Sequence, residues 1–206
     1  MGRFGQLLAT AYDPVMRNLE RGRLGAVRQE LLAGAAGHVL DLGAGTGANL
    51  PHLGAGVDRV TAIEPDAGMA RRLRRRAAEV DVEVEVIDAT AEALPLAAGS
   101  VDVAVATLVL CTVANPAVAV AELRRVLRPE GVLVVVEHVA DGDARRARLQ
   151  QGLTPVWRRV AGGCHLDRNT RALLEAGGFD TSGVAPWQLS LRGPTVPALR
   201  GTARPR

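Results

Sequence analysis

Lysine is missing from this chain. All 25 basic residues are arginine, set against 22 acids, so the formal net charge is only +3 (25 − 22). An excess this slight and scattered leaves no electrostatic footprint for nucleic acid. The one dense run, Arg71-Arg72-Leu73-Arg74-Arg75-Arg76, reads at helical spacing as a solvated face with Leu73 turned inward. Aromatic residues make up 2% of the chain, so the core must be aliphatic, built from Val, Leu and Ala. Cysteine occurs twice, as Cys111 and Cys164, and neither lies in a C-x-x-C pair. That excludes a disulfide framework and fits reduced thiols in the cytoplasm. Four scattered histidines and two cysteines give no metal-site spacing, and no metal is expected. No apolar run approaches the ~18 residues of a membrane span. The nearest, Val101 to Ala114, carries Asp102. Residues 1–10 lack a signal-peptide core, and Gln6 stands where a myristoylation motif wants Ser or Thr.

What is present is enough for one α/β unit: 206 residues, 48% of them apolar. The chain is organised around Val39-Leu40-Asp41-Leu42-Gly43-Ala44-Gly45-Thr46-Gly47. A short apolar run that breaks into alternating glycines reads as a buried strand and a tight ligand-binding turn. A helix is expected to follow, its half-positive end facing the ligand. Gly43, Gly45 and Ala48 also satisfy the relaxed dinucleotide fingerprint, so a nicotinamide oxidoreductase is the rival reading. Two features oppose it. Asp41 at the strand mouth would repel a pyrophosphate and suits a ligand with an ammonium group. A chain without lysine has no Tyr-x-x-x-Lys pair.

Leu7 to Ala33 reads as helix broken near Asp13-Pro14 and Gly22, with Tyr12 before the break either packing on the core or capping a ligand. Residues 1–36 are read as a helical lid and residues 37–206 as the binding core. Val60 to Ile63 is a second strand, ending in Glu64-Pro65-Asp66, with Asp66 the N-cap of a helix through Glu79. Val82 to Ile87 alternates as a strand with one wet face and ends at Asp88-Ala89. Val101 to Ala106 and Val132 to Val136 are buried parallel strands. Between them a helix from Pro116 is expected to turn Val118, Val120, Ala121, Leu123, Val126 and Leu127 inward and to stop at Arg128-Pro129-Glu130-Gly131. Asp141 to Arg148 is mobile or helical, Arg168 to Ala176 is a short helix, and Thr181 to Leu191 with Leu199 to Ala203 is a strand pair. This rhythm is a doubly wound, mostly parallel α/β sheet. Asp41, Glu64, Asp88 and Glu137 then fall at carboxyl ends of strands, where ligands of such sheets bind.

Several of these motifs together resemble the class I S-adenosylmethionine-dependent methyltransferases: Leu40-Asp41-Leu42-Gly43-x-Gly45-x-Gly47, Glu64-Pro65-Asp66, Asp88-Ala89, Ser100-Val101-Asp102-Val103 and Leu127-Arg128-Pro129-x-Gly131. A narrower set, Thr107 to Val113, Glu137-His138-Val139-Ala140 and Gly163-Cys164-His165-Leu166, is similar to the methyltransferase-like family that includes animal alkyl-thiol methyltransferases. The resemblance implies a Rossmann-like seven-stranded sheet, S-adenosylmethionine as cofactor and S-adenosylhomocysteine as product. It implies that Asp41 and the backbone of Gly43, Ala44, Gly45, Thr46 and Gly47 hold the methionine moiety, with Asn49 nearby. Glu64 would accept both ribose hydroxyls, Pro65 and Met69 would lie near the adenine, Asp88 and Ala89 would pair with it, and Thr107 and Leu108 would flank the sulfonium. Those relatives carry an N-terminal hydrophobic anchor; none is expected here.

The implied partner is a small-molecule methyl acceptor, with a thiol favoured. Oxygen, nitrogen or carbon methylation of a metabolite, a quinone or a phospholipid head group is the alternative. No Asp/Asn-Pro-Pro-aromatic motif follows the fourth strand, which opposes a nucleic-acid base as acceptor. A thiol of pKa about 8.5 needs only partial deprotonation. His138 and His165 are the candidate bases, each equally readable as a structural histidine. Cys164 and His165 are adjacent, and adjacent side chains diverge, so a nucleophile pair is not expected between them.

Overall fold

The computed structural model describes residues 22–190 and 195–206. Tyr12, the helix expected before residue 22, most of the expected lid and Leu191 lie outside the described residues. The chain runs α1 (Arg23–Leu32), β1 (Ala36–Leu42), a 3-10 turn (Leu50–His52), β2 (Gly56–Ile63), α2 (Ala67–Ala77), β3 (Glu83–Ile87) and β4 (Val101–Thr107). It continues with α3 (Pro116–Val126), β5 (Leu127–His138), α4 (Ala144–Val160), α5 (Thr170–Ala176), β6 (Phe179–Asp180), β7 (Val184–Ser190) and β8 (Thr195–Pro205).

The strands form one sheet in the order β3-β2-β1-β4-β5-β8, with β6 and β7 both paired to β8. The first five are parallel and β8 is antiparallel to β5. Because β6 and β7 follow one another along β8, the eight strands occupy the seven positions expected from the sequence.

Alternation along the strands sends side chains to two cores. Leu40, Leu42, Ala104, Ala106, Leu133 and Val135 pack under α3 and α5. Val39, Val60, Val103, Val105 and Val134 pack under α2 and the end of α1. A separate cluster seats Leu24 and Val27 of α1 on Val136, Leu189 and Ala198. Full burial of each such side chain is worth about 1.5–3 kcal/mol before entropy is counted.

Register fixes the functional edge. Leu42 is level with Ile63, Ile63 with Ile87, Leu42 with Ala106, and Thr107 with Val136. The residues just after those positions therefore emerge along one line.

Four details differ from the sequence reading. No α-helix follows the glycine loop; the chain makes only the turn Leu50–His52 before β2 begins at Gly56. Pro51 and the short span leave no room for a helix, so the loop's own amides face the site instead of a helix dipole. On α3 the inward residues are Ala119, Val120, Leu123 and Val126, while Val118 is 41% exposed and Ala121 is also outside. Residues 119, 120, 123 and 126 share one 3.6-period face, which 118 and 121 leave. Strand β5 begins at Leu127, before the Arg-Pro-Glu-Gly segment expected to stop the helix; a residue before proline favours extended backbone. Finally, Asp141 to Arg148 leads into the long helix α4, whose N-cap Asp143 accepts from Arg145 N and Arg146 N. The helix continues through Pro155 and turns Leu149, Leu153, Val156 and Trp157 outward.

The N-cap at Asp66 is present, accepting from Gly68 N at 2.8 Å and Met69 N at 2.9 Å, and Leu73 is buried within the arginine run. Among the described residues no helix is long and apolar enough to cross a membrane, and no cluster of His, Cys, Asp or Glu could hold a metal ion.

Candidate active site

Asp41 lies near the end of β1, 1% exposed. Its Oδ1 accepts from Asn49 Nδ2 at 2.7 Å, and the Arg28 guanidinium donates to Asn49 Oδ1. Asp41 Oδ2 is buried without a hydrogen-bond partner. Burial pushes the Asp41 carboxyl up to about 6, against the opposing pull of Asn49 and of the Arg28 charge. A buried carboxylate oxygen without a donor is costly until one is supplied.

The loop after it alternates left-handed glycines, with φ +57° at Gly43, +59° at Gly45 and +82° at Gly47. A Cβ at Gly43 would stand 2.7 Å from Val109 Cγ2, so this loop packs directly on the chain beyond β4. A Cβ at Gly45 would meet no atom nearer than 3.9 Å. The bare backbone there faces open space, as close approach by a ligand requires. Gly45 N donates to Glu64 Oε2 at 2.8 Å, and Glu64 Oε1 accepts from Asp66 N at 2.8 Å. Glu64 thus ties the glycine loop to the head of α2. Burial raises its pKa, with the charges of Asp66 and Asp88 adding to the rise. Asp88 and Pro65 are exposed; Met69 and Ala89 are half-buried.

At the end of β4, Thr107 is buried and Leu108 takes φ +58°, the only left-handed non-glycine among the described residues. Leu108 N donates to Val136 O at 2.8 Å. Beyond it, Val109 N and Leu110 N donate to Glu137 Oε1 at 2.8 and 2.7 Å, and Cys111 N to Glu137 Oε2 at 3.2 Å. Glu137 is fully buried, and that burial pushes it up to about 7 in spite of the three amides. Of the four acids at strand ends, then, Glu137 turns inward as a strut. It holds the loop that carries Leu108.

His138 is 5% exposed, and neither ring nitrogen has a partner of hydrogen-bond geometry. The polar group near it is the Cys164 thiol, whose pKa is lowered, first by Cys111 and then by His138. The Cys111 thiol is pushed well up. His165 lies beside Asp167. Its Nδ1 is 3.9 Å from Asp167 Oδ1, and its pKa is lowered by burial and by the charges of Arg168 and Arg158. The segment carrying Cys164 and His165 is stitched to the chain after β4. His165 N donates to Cys111 O at 2.8 Å, and the Arg168 guanidinium donates to Leu110 O and, at 2.7 Å, to Val113 O.

Comparison with known proteins shows what this chain is similar to. A methyltransferase-domain model matches residues 40–135. Thiol S-methyltransferase TMT1B of Homo sapiens is 42% identical over 154 residues, 72% of this chain and 63% of that protein. Thiol S-methyltransferase TMT1A of Homo sapiens is 39% identical over 153 residues, 71% of this chain and 62% of that protein. Residues 40–135 are thus similar to a methyltransferase domain, and most of the chain is similar to these two proteins. The chain spans under two thirds of the length of these curated relatives. The same fold is seen in the crystal structure of YcgJ from Bacillus subtilis, with a TM-score of 0.71 at 18% identity, covering 89% of this chain and 97% of that one.

The methyl donor that this similarity implies is S-adenosylmethionine, and the residues of the edge fit it. The unpartnered Asp41 oxygen matches an ammonium group, the open face of Gly45 admits close approach, and Glu64 keeps lone pairs for hydroxyls after binding two amides. Three participants escaped the sequence reading. Arg28 sits on the buried stripe of α1 beside Leu24 and Val27, where an arginine invites a search for its partner. Cys111 and the inward role of Glu137 carried no signal in spacing.

Proposed function

We propose that this chain is an S-adenosylmethionine-dependent methyltransferase of a small molecule, with a thiol as the favoured acceptor. The observation that carries the first half is the buried, unpartnered Asp41 oxygen at the sheet edge beside a left-handed glycine loop. The thiol half is supported by the 42% identity to a protein named as a thiol S-methyltransferase.

When bound, the cofactor supplies a methyl group on an already activated sulfur. Asp41 takes its ammonium, with Asn49 and Arg28 holding the carboxylate in place rather than touching the ligand. The loop from Gly43 to Gly47 presents its backbone to the methionine moiety. Glu64 accepts the ribose hydroxyls, Pro65 and Met69 line the adenine, and Asp88 and the Ala89 amide pair with its edge. Thr107 and Leu108 flank the reacting sulfur. Transfer is an in-line displacement at carbon, in which alignment alone can supply ~7–11 kcal/mol. His138 takes the acceptor's proton at a ring nitrogen that no protein group occupies. His165, its pKa lowered, is the second base. Two free thiols support a reducing compartment, the cytoplasm.

The test is S-adenosylhomocysteine release from a thiol and from the alcohol of identical shape. The thiol rate should rise with pH and level off near the thiol pKa, and the alcohol should be inert. His138→Ala should lower the rate most below that pKa, within the ~10²–10⁴-fold range of general-base help. Equal rates on both acceptors would overturn the thiol reading.

A further inference from the structure

Two separate stretches of backbone bring Cys111 and Cys164 together. His165 N donates to Cys111 O at 2.8 Å, and a Cβ on Gly163 would stand 3.4 Å from Thr112 O. Chains joined by peptide hydrogen bonds run about 5 Å apart, within the ~4.4–6.8 Å that separates the Cα atoms of a disulfide. The two thiols act on one another, Cys164 being lowered and Cys111 raised by their proximity. Their exposure is unequal. Cys111 is 2% exposed, whereas Cys164 is half-buried.

We propose that Cys111 and Cys164 are a hydroperoxide-reactive thiol pair, Cys164 attacking and Cys111 resolving, that closes reversibly into a disulfide. The inference lies outside the methyl-transfer reading and does not depend on it. The thiolate is the attacking form, and of the two thiols Cys164 is the one whose pKa is lowered, by Cys111 and His138. In the first step the Cys164 sulfur attacks the terminal oxygen of a hydroperoxide. An S–O bond forms and the O–O bond breaks. The sulfur loses two electrons to become a sulfenic acid, and the peroxide's other oxygen leaves as an alkoxide, or as hydroxide from hydrogen peroxide, which takes a proton from water. In the second step the Cys111 sulfur attacks the Cys164 sulfur. The S–S bond forms, the S–O bond breaks, and hydroxide departs with the Cys111 proton as water. Cys111 already lies near its target, so closure is intramolecular and should outrun further oxidation to the sulfinic acid. The product would staple the segment around Cys164 to the chain after β4.

The experiment uses the whole protein and near-stoichiometric hydrogen peroxide, followed by intact-mass and peptide mass spectrometry. Wild type should lose two hydrogens, yield a peptide linking Cys111 to Cys164, and recover its mass with dithiothreitol. Cys111→Ser should stop at the sulfenic acid, captured at Cys164 by dimedone. Cys164→Ser should keep Cys111 reduced over the same period. The wild-type measurement does not depend on whether either variant folds. Sulfinic or sulfonic acid at Cys164 without a cross-link would overturn the proposal, as would oxidation of Cys111 in Cys164→Ser at the wild-type rate.

Discussion

Asn49 Nδ2 sits 2.7 Å from Asp41 Oδ1, and the other oxygen of the same carboxylate, sealed from solvent, meets nothing. One side of the acid is oriented and the other is left for a cation.

That asymmetry separates stability from binding. The folded Asp41 pKa is raised from 3.8 to about 6. Its stabilising contribution is therefore present below pH ~3.8 and lost as pH rises through ~6. Asp41→Asn should raise the melting stability of the ligand-free protein at pH 7.5 by roughly 1–3 kcal/mol. The two-unit shift is worth ~3 kcal/mol, less the cost of one unpaired amide group. Affinity for S-adenosylhomocysteine should fall in the same variant. In wild type that affinity should drop up to tenfold per pH unit below ~6, and Asp41→Asn should show no such slope. Calorimetry across pH 5–8 checks both, and a parallel slope in the variant would remove Asp41 from the ligand.

Glu64 should behave differently, because it serves the loop as well as the ligand. Glu64→Gln keeps an acceptor for one of the two amides it now binds. Its loss of S-adenosylhomocysteine affinity should reach roughly 1.5–3 kcal/mol, the worth of charged hydrogen bonds. A variant that melts earlier but binds as wild type would assign Glu64 to the loop alone.

For Glu137 the prediction concerns the strut. Glu137→Gln should fold and still accept from Val109 N and Leu110 N, with its amide group set against Cys111 N. The folded Glu137 pKa is raised from 4.5 to about 7, so its stabilising contribution is complete below pH ~4.5 and disappears as pH rises through ~7. The stability of wild type relative to Glu137→Gln should therefore shrink by up to ~3 kcal/mol between pH 5 and 8. Denaturant melts at four pH values suffice, and a constant difference would refute the buried titration.

Asp102 belongs to a family motif but touches no part of the site. Its Oδ2 accepts from His38 N at 2.8 Å, its other oxygen pairs with Arg128, and a Cβ at Gly37 would lie 2.5 Å from it. It buckles the starts of β1, β4 and β5 together. Asp102→Ala should cost about 2–3 kcal/mol in urea unfolding and leave S-adenosylhomocysteine affinity as it is.

The alternation of apolar residues and the glycines after Leu42 made the parallel strands and their common edge legible, because those signals are local. Period-2 alternation even places Glu137 with Leu133 and Val135, and His138 with Val134 and Val136, on opposite faces. What alternation cannot supply is the loop that each face meets. The amides of Val109 to Cys111 reach Glu137 across a parallel pairing, and Cys164 reaches His138 and Cys111 across a fold of the chain. Cys164 was weighed against its neighbour His165, whereas its true neighbours come from two other strand ends. The helix expected after Gly47 failed for a local reason, Pro51 in a short connection. Helix α4 runs to Val160, well past Arg148, where the sequence reading left it, and its apolar stripe faces out.

Strand β8 lies between β5 and β7, bonded to both, with Leu133 opposite Ala203 and Val184 opposite Gly201. As the chain is synthesised, the outer edge of β5 and the whole of β7 stay without their partner until Thr195 to Pro205 have emerged. Val134, Val135 and Val136 make that waiting edge flat and apolar, a template for strands of other molecules. β8 pairs with β7 as a hairpin, Ser190 opposite Thr195, but its insertion beside β5 is long-range, the slow kind of event in a folding pathway. Nascent or C-terminally trimmed molecules should therefore depend on chaperones and aggregate through β5, while the parallel half of the sheet is already formed.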